Sequence, residues 1–102
     1  MNEYLPLGSI VLLKGGLQKV IIIGRAITVN NQGQTVYFDY GGVPYPDGLT
    51  GDQMAYFNGD QIGTVVFEGY RDVEDEHIIE NIKAYKEAHP EIKKADPKAW
   101  QV

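Results

Sequence analysis

Two β-branched apolar runs open the chain. Leu5-Pro6-Leu7-Gly8-Ser9-Ile10-Val11-Leu12-Leu13 is broken by Lys14-Gly15-Gly16 and answered by Val20-Ile21-Ile22-Ile23-Gly24-Arg25. Apolar runs on either side of a Gly-Gly turn predict the first hairpin of a small antiparallel sheet. Ala26-Ile27-Thr28-Val29 carries the second strand towards Asn30-Asn31-Gln32-Gly33, whose residues tolerate positive φ and mark a turn. Thr35-Val36-Tyr37-Phe38-Asp39-Tyr40 follows as a third strand. Its alternation sets Val36, Phe38 and Tyr40 on one face and Thr35, Tyr37 and Asp39 on the other, with Phe38 in the core and Tyr37 half-exposed.

Residues 41–51 contain four glycines and two prolines and read as an irregular loop. Pro44 and Pro46 cannot donate ladder hydrogen bonds, so this loop should not cross the sheet interior. Met54-Ala55-Tyr56-Phe57 is expected as a short strand or packed loop. Asn58-Gly59-Asp60-Gln61 reads as a turn with one helical turn at Asp60-Gln61-Ile62, and Gly63-Thr64-Val65-Val66-Phe67 as a strand closed by Glu68-Gly69.

The period changes after Tyr70. Asp72 or Asp75 can cap a helix, and Glu74, Asp75 and Glu76 place negative charge where the helix dipole favours it. Ile78, Ile79, Ile82 and Tyr85 form an apolar stripe at helical spacing, continued by Ala88. Lys83 and Lys86 lie towards the far end, and Pro90 stops the helix near His89. The spacing predicts a helix over about 75–88 that covers the open side of the sheet. Residues 90–102 are polar and flanked by prolines, and read as a tail or a short second helix; Trp100 there docks either on the body or on a partner. The expected fold is mainly β (α+β): a strongly bent antiparallel sheet or SH3-like open barrel over residues 1–89, with one C-terminal helix packed on it.

A chain of 102 residues has room for one core. No stretch approaches the roughly 20 apolar residues of a membrane span, and Asn2-Glu3 is the wrong start for a signal peptide, so a cytoplasmic location is expected. The absence of cysteine removes disulfides, thiol catalysis and thiolate metal sites together. The net charge of −5 is uneven: residues 1–67 hold three basic and five acidic side chains, residues 68–102 six and nine. Neither part is a basic patch, which disfavours nucleic acid as a partner.

Catalytic chemistry is sparse. Ser9 is the sole serine and starts a strand with no helix N-terminus behind it, and a triad would also need an oriented histidine. His77 and His89 lie on or at the end of the helix without a metal-like partner at i+4, and read as solvated surface residues. Asp39, Asp47, Asp52 and Asp60 punctuate turns but lack the 1-3-5 ligand spacing of a calcium loop. Gly15-Gly16 and Gly41-Gly42 lack the strand–glycine–helix setting of a phosphate cradle. No cofactor or metal is expected.

Aromatic residues carry more weight. Tyr37, Phe38, Tyr40, Tyr45, Tyr56 and Phe57 surround the Gly/Pro loop within about twenty residues. Some must fill the core, yet a domain of this size cannot bury them all, and tyrosine at a loop-rich rim suits an interaction surface. Core filling and partner contact both stand at this point, with Tyr37 and Tyr45 expected to be most exposed. The candidate partner-binding set is Tyr37, Tyr40, Tyr45, Tyr56, Phe57 and Trp100.

The ordered series running from Tyr4-Leu5-Pro6-Leu7-Gly8-Ser9 to Lys14-Gly15-Gly16, then Val20-Ile21-Ile22-Ile23-Gly24-Arg25, Tyr37-Phe38-Asp39-Tyr40, Tyr45-Pro46-Asp47-Gly48, Tyr56-Phe57-Asn58 and Val65-Val66-Phe67-Glu68-Gly69-Tyr70, resembles a small bacterial domain family of unknown function. Its members are often encoded beside LXG-type toxins of the type VII secretion system in Gram-positive bacteria. The resemblance covers about residues 4–85. It implies a non-enzymatic cytoplasmic chaperone or targeting adaptor whose partner is a secreted toxin or its helical targeting domain. An immunity protein that masks a toxin, and a small hydrolase using Asp39, Asp47 or Asp52 with a tyrosine, are the alternatives. A homodimer through an exposed sheet edge is a further open possibility.

Overall fold

The spine of the fold is one long hairpin, β2 (Lys19–Asn31) and β3 (Gln34–Tyr45), joined by the two residues Gln32 and Gly33. Both take positive φ, 56° and 84°, the geometry whose twist matches flanking strands. The Asn30 side-chain oxygen accepts from the Gly33 N–H at 3.1 Å and closes the turn. In the computed structural model, which describes residues 4–96, β1 (Ile10–Leu13) pairs antiparallel with β2, and β4 (Ala55–Phe57) with β3. A 3₁₀ turn at Gly59–Gln61 leads into β5 (Ile62–Phe67), which returns to the far side of β1. The order is β4-β3-β2-β1-β5, an open sheet followed by α1 (Val73–Ala88), the single α-helix among the described residues. Mainly β with one C-terminal helix is therefore correct.

Three sequence expectations change. The third strand does not end at Tyr40: it runs to Tyr45, with Val20 opposite Pro44 and Ile21 opposite Val43. Proline is tolerated there because β4 reaches only Tyr40, Gly41 and Gly42, leaving that side of Pro44 without a strand neighbour among the described residues. The loop expected over 41–51 is instead residues 46–54. The Gly-Gly pair is not a break but a close approach: a Cβ on Gly42 would stand 2.6 Å from the Ile21 carbonyl oxygen, and one on Gly41 2.4 Å from Ile27 Cδ1.

Beyond the helix, the segment read as a tail or second helix instead forms a two-residue strand, β6 (Lys93–Lys94), parallel to Val36 and Tyr37 of β3. Ala95 is buried, donates its N–H to the Tyr37 carbonyl at 2.7 Å and accepts from Asn58 Nδ2 at 3.0 Å. The packed body therefore extends past residue 89. The third change concerns the apolar stripe of α1. Ile79 is buried and Ile82 half-buried, whereas Ile78 and Tyr85 are exposed. Asp72 caps the helix, its side chain accepting from the Asp75 N–H at 3.1 Å.

The core gathers Tyr4, Val11, Val20, Ile22, Tyr40, Phe57 and Ile79. Burial of each large aliphatic side chain in it is worth about 1.5–3 kcal/mol. The segment before β1 belongs to it: the Gly8 N–H donates to Ile22 O and the Ile22 N–H to Ser9 O, both at 2.8 Å. Ser9, fully buried, donates its hydroxyl to Pro6 O at 2.7 Å and accepts from the Gly69 N–H at 2.9 Å. The sole serine is a strut between the N-terminal segment and the exit of β5.

Candidate functional site

The aromatic residues expected to form one rim are split by the fold. Tyr40 and Phe57 are core residues, a correction to their expected place on a contact surface. They lie opposite each other across β3 and β4, their rings stack at 5.5 Å, and the Tyr40 hydroxyl accepts from the Leu5 N–H at 2.9 Å. A hydroxyl already partnered inside the domain lets a tyrosine be buried without an unmade hydrogen bond. Tyr37 is half-buried, and Tyr45 and Tyr56 are exposed. Tyr37 and Tyr45 are eight residues apart on one strand, about 26 Å at the rise of extended backbone, so they do not share a contact point. Tyr56 packs its ring at 5.7 Å from Phe38, and Lys19 Nζ sits 5.7 Å from the Tyr45 ring. Trp100 lies outside the described residues.

Two features of the surface stand out instead. The first is a groove of about 330 Å³ between α1 and the β2–β3 hairpin. It exists because only part of the helical stripe seats on the sheet, so Ile78, Ile82 and Tyr85 become its walls, with Tyr37 on the strand side. Among the described residues its lining contains Arg25, Lys86 and His89 and no carboxylate. Arg25 is committed elsewhere, its guanidinium 2.7 Å from Asp75. His89 stacks at 4.3 Å on Tyr85 and pairs through Nδ1 with Glu91 at 3.1 Å, so it is half-buried rather than free in solvent. Lys86 Nζ sits 4.6 Å from the Tyr37 ring centre and 4.8 Å from that of Tyr4.

The aspartates considered for hydrolysis do not meet in this groove. Asp39 is buried, accepts from the Gly59 N–H at 2.8 Å and pairs with Lys94 at 3.2 Å, a bracing role between β3, the 3₁₀ turn and β6. Asp47 and Asp52 are exposed in the 46–54 loop. No group of three or more metal-ligating side chains occurs among the described residues, and no helix there is long and apolar enough to cross a membrane.

The second feature is the edge of the sheet. β5 pairs only with β1, and its other side faces no strand among the described residues. Val65 and Val66 are nearly half exposed and Phe67 is 58% exposed. Ile62-Gly63-Thr64-Val65-Val66-Phe67 contains no charge and no proline, the usual guards of an edge strand. Register continues the apolar surface inwards: Phe67 lies opposite Ile10, Ile10 opposite Ile21, and Ile21 opposite Val43. The sequence marks β5 as a strand but not as an edge, because edge status is decided by a return to β1 some fifty residues back.

No curated protein and no solved structure matches the chain. One family model does, over residues 4–78, a span that holds the whole sheet edge and ends within α1 before Ile82, Tyr85 and Lys86 of the groove. The chain belongs to the family described as Domain of unknown function (DUF4176).

Proposed function

We propose that this domain is a non-enzymatic module that holds another polypeptide by adding one of its extended segments to β5. The observation that carries the reading is the uncharged terminal strand with Val65, Val66 and Phe67 exposed. Main-chain hydrogen bonds along such an edge supply affinity, and side chains on alternate positions supply selectivity. The apolar row Phe67, Ile10 and Ile21 gives the incoming segment's side chains a surface on which to lie. As the partner we propose, on the resemblance stated above, an LXG-type toxin bound in the cytoplasm before type VII export, with this domain as chaperone or targeting adaptor.

Co-expression of the full chain with an LXG-type toxin tests the reading. Co-purification is expected, with at least tenfold weaker binding for the double variant Val65→Lys, Phe67→Lys. Both positions are solvent-facing, so the variant should keep the native thermal transition. No association with the toxin, or undiminished binding by the folded variant, would overturn the proposal.

A further inference from the structure

We infer that the groove between α1 and the β2–β3 hairpin is a binding site for a small organic monoanion with a flat apolar body, of the aryl carboxylate class. Three observations converge on this chemistry. The volume of about 330 Å³ falls at the small end of the range for small-molecule sites. The walls are apolar and aromatic, with Ile78, Ile82 and Tyr85 on the helix and Tyr37 opposite. The charge inside is one-sided, since the lining holds cations and, among the described residues, no carboxylate.

Lys86 supplies the anion's counter-charge. Arg25 is already taken by Asp75 at 2.7 Å, and His89 by Glu91 at 3.1 Å. The Lys86 ammonium has no carboxylate within ion-pair distance among the described residues, and is held by the faces of Tyr37 and Tyr4. Two rings leave the ammonium's strong hydrogen-bond donors unspent, because a ring face attracts the charge without accepting a conventional hydrogen bond. A ligand carboxylate would receive a charge-assisted bond there, stronger than one between neutral groups. A single uncommitted cation suits a monoanion. A phosphate dianion would bring a second charge towards Asp75 with no free partner to offset it.

The competing account is a snorkelling lysine whose stem covers Tyr4 and whose charge has no ligand. It predicts no preference for acids over their neutral analogues. The two accounts separate in a titration of the ¹⁵N-labelled full chain with 3-phenylpropionate and indole-3-acetate, and with the corresponding amides as uncharged controls. Saturable shifts centred on Tyr37, Tyr85 and His89 are expected, with each acid binding at least tenfold more tightly than its amide at pH 7. Lys86→Gln should abolish that preference and Lys86→Arg should keep it, each variant first shown to retain the native amide spectrum. The inference is overturned by no saturable binding, by equal binding of acid and amide, or by an unchanged preference in Lys86→Gln. Binding that appears only in Trp100→Ala would also overturn it, assigning the groove to the chain's own C-terminal segment. The site is separate from β5, so the edge variant of the toxin test should bind these acids as the native chain does.

Discussion

Arg25 and Asp75 meet at 2.7 Å, and this contact ties the middle of β2 to the first turn of α1. Arg71, at 2.8 Å from the other oxygen of the same carboxylate, completes a clamp, and its guanidinium also donates to the Tyr4 carbonyl. One acidic side chain thus joins the long hairpin, the link after β5 and the helix. The helix is placed where Ile79 enters the core and Tyr85 stands over the groove.

Asp75→Asn should therefore be costly. The Asp75 side chain is only 12% exposed, and its neutralisation leaves two guanidiniums facing each other near the core. Removing one partner of a buried ion pair costs about 3–5 kcal/mol. Arg71→Ala should cost less, because that side chain is 21% exposed and Arg25 keeps Asp75 paired. Urea unfolding of both variants measures the order, and an Asp75→Asn variant no less stable than Arg71→Ala would contradict the clamp.

Asn58 is the second joint. Its side-chain oxygen accepts from the Asp39 N–H at 2.9 Å while its nitrogen donates to Ala95 O at 3.0 Å, so it bridges β3 to the segment after β6. Asn58→Ala leaves a buried N–H and a carbonyl without that partner, each worth about 1–3 kcal/mol. Asn58→Asp keeps the acceptor but sets an oxygen against Ala95 O, so it should be no milder than Asn58→Ala. Hydrogen exchange should accelerate at the Ala95 amide in both, and at the Asp39 amide in Asn58→Ala, which alone loses the acceptor of that N–H. Unchanged protection at Ala95 would separate β6 from this joint.

Glycine replacements should sort by position. A Cβ on Gly69 would lie 2.3 Å from the Leu7 carbonyl oxygen, backbone that cannot swing aside, whereas one on Gly59 meets nothing nearer than 3.5 Å. Gly69→Ala is expected to destabilise by about 1–3 kcal/mol or more, as overpacking does, and Gly59→Ala by much less. Thermal unfolding of the pair decides it; equal losses would argue against close approach at Gly69.

Much of this fold is written in local chemistry. The Asn/Gly cluster marks the β2–β3 turn, Asp72 or Asp75 the helix start (the structure takes Asp72) and Pro90 its end, because each acts through its own backbone or near neighbours. What escapes local reading is set at long range. Gly41-Gly42 looks like a loop until Val20, Ile21 and Ile27 are laid against it, and then the missing Cβ atoms are what permits the strand to pass. Alternation puts Tyr40 and Tyr37 on opposite faces but does not say what each meets; one is closed over by Phe57 and Tyr4, the other meets Lys86 from a helix 49 positions later. The groove follows from how the helix is seated, and its lysine reads from sequence only as a dipole-favoured residue near a helix end.

Alkali should expose the buried tyrosines. The Tyr4 hydroxyl is held far above the usual phenol range, chiefly by burial and then by the nearby Asp39 charge; burial also raises Tyr40, although the Leu5 N–H donated to its oxygen works the other way. In the unfolded chain both lose their protons near pH 10. The folded protein keeps them, so above that pH the folded state binds more protons than the unfolded one and stability falls as pH rises. The stabilisation is fully present below about pH 10 and is lost towards the raised folded values, with a limiting slope of about 1.4 kcal/mol per pH unit for each such tyrosine. Lys94, raised by Asp39 despite the opposing effect of burial, contributes in the same direction. Tyr4→Phe removes one titrating group while retaining the ring against Tyr40, so its urea midpoint should decline less steeply between pH 9.5 and 11.5 than that of the native chain. Parallel declines would mean that Tyr4 ionises as readily in the folded domain as in water.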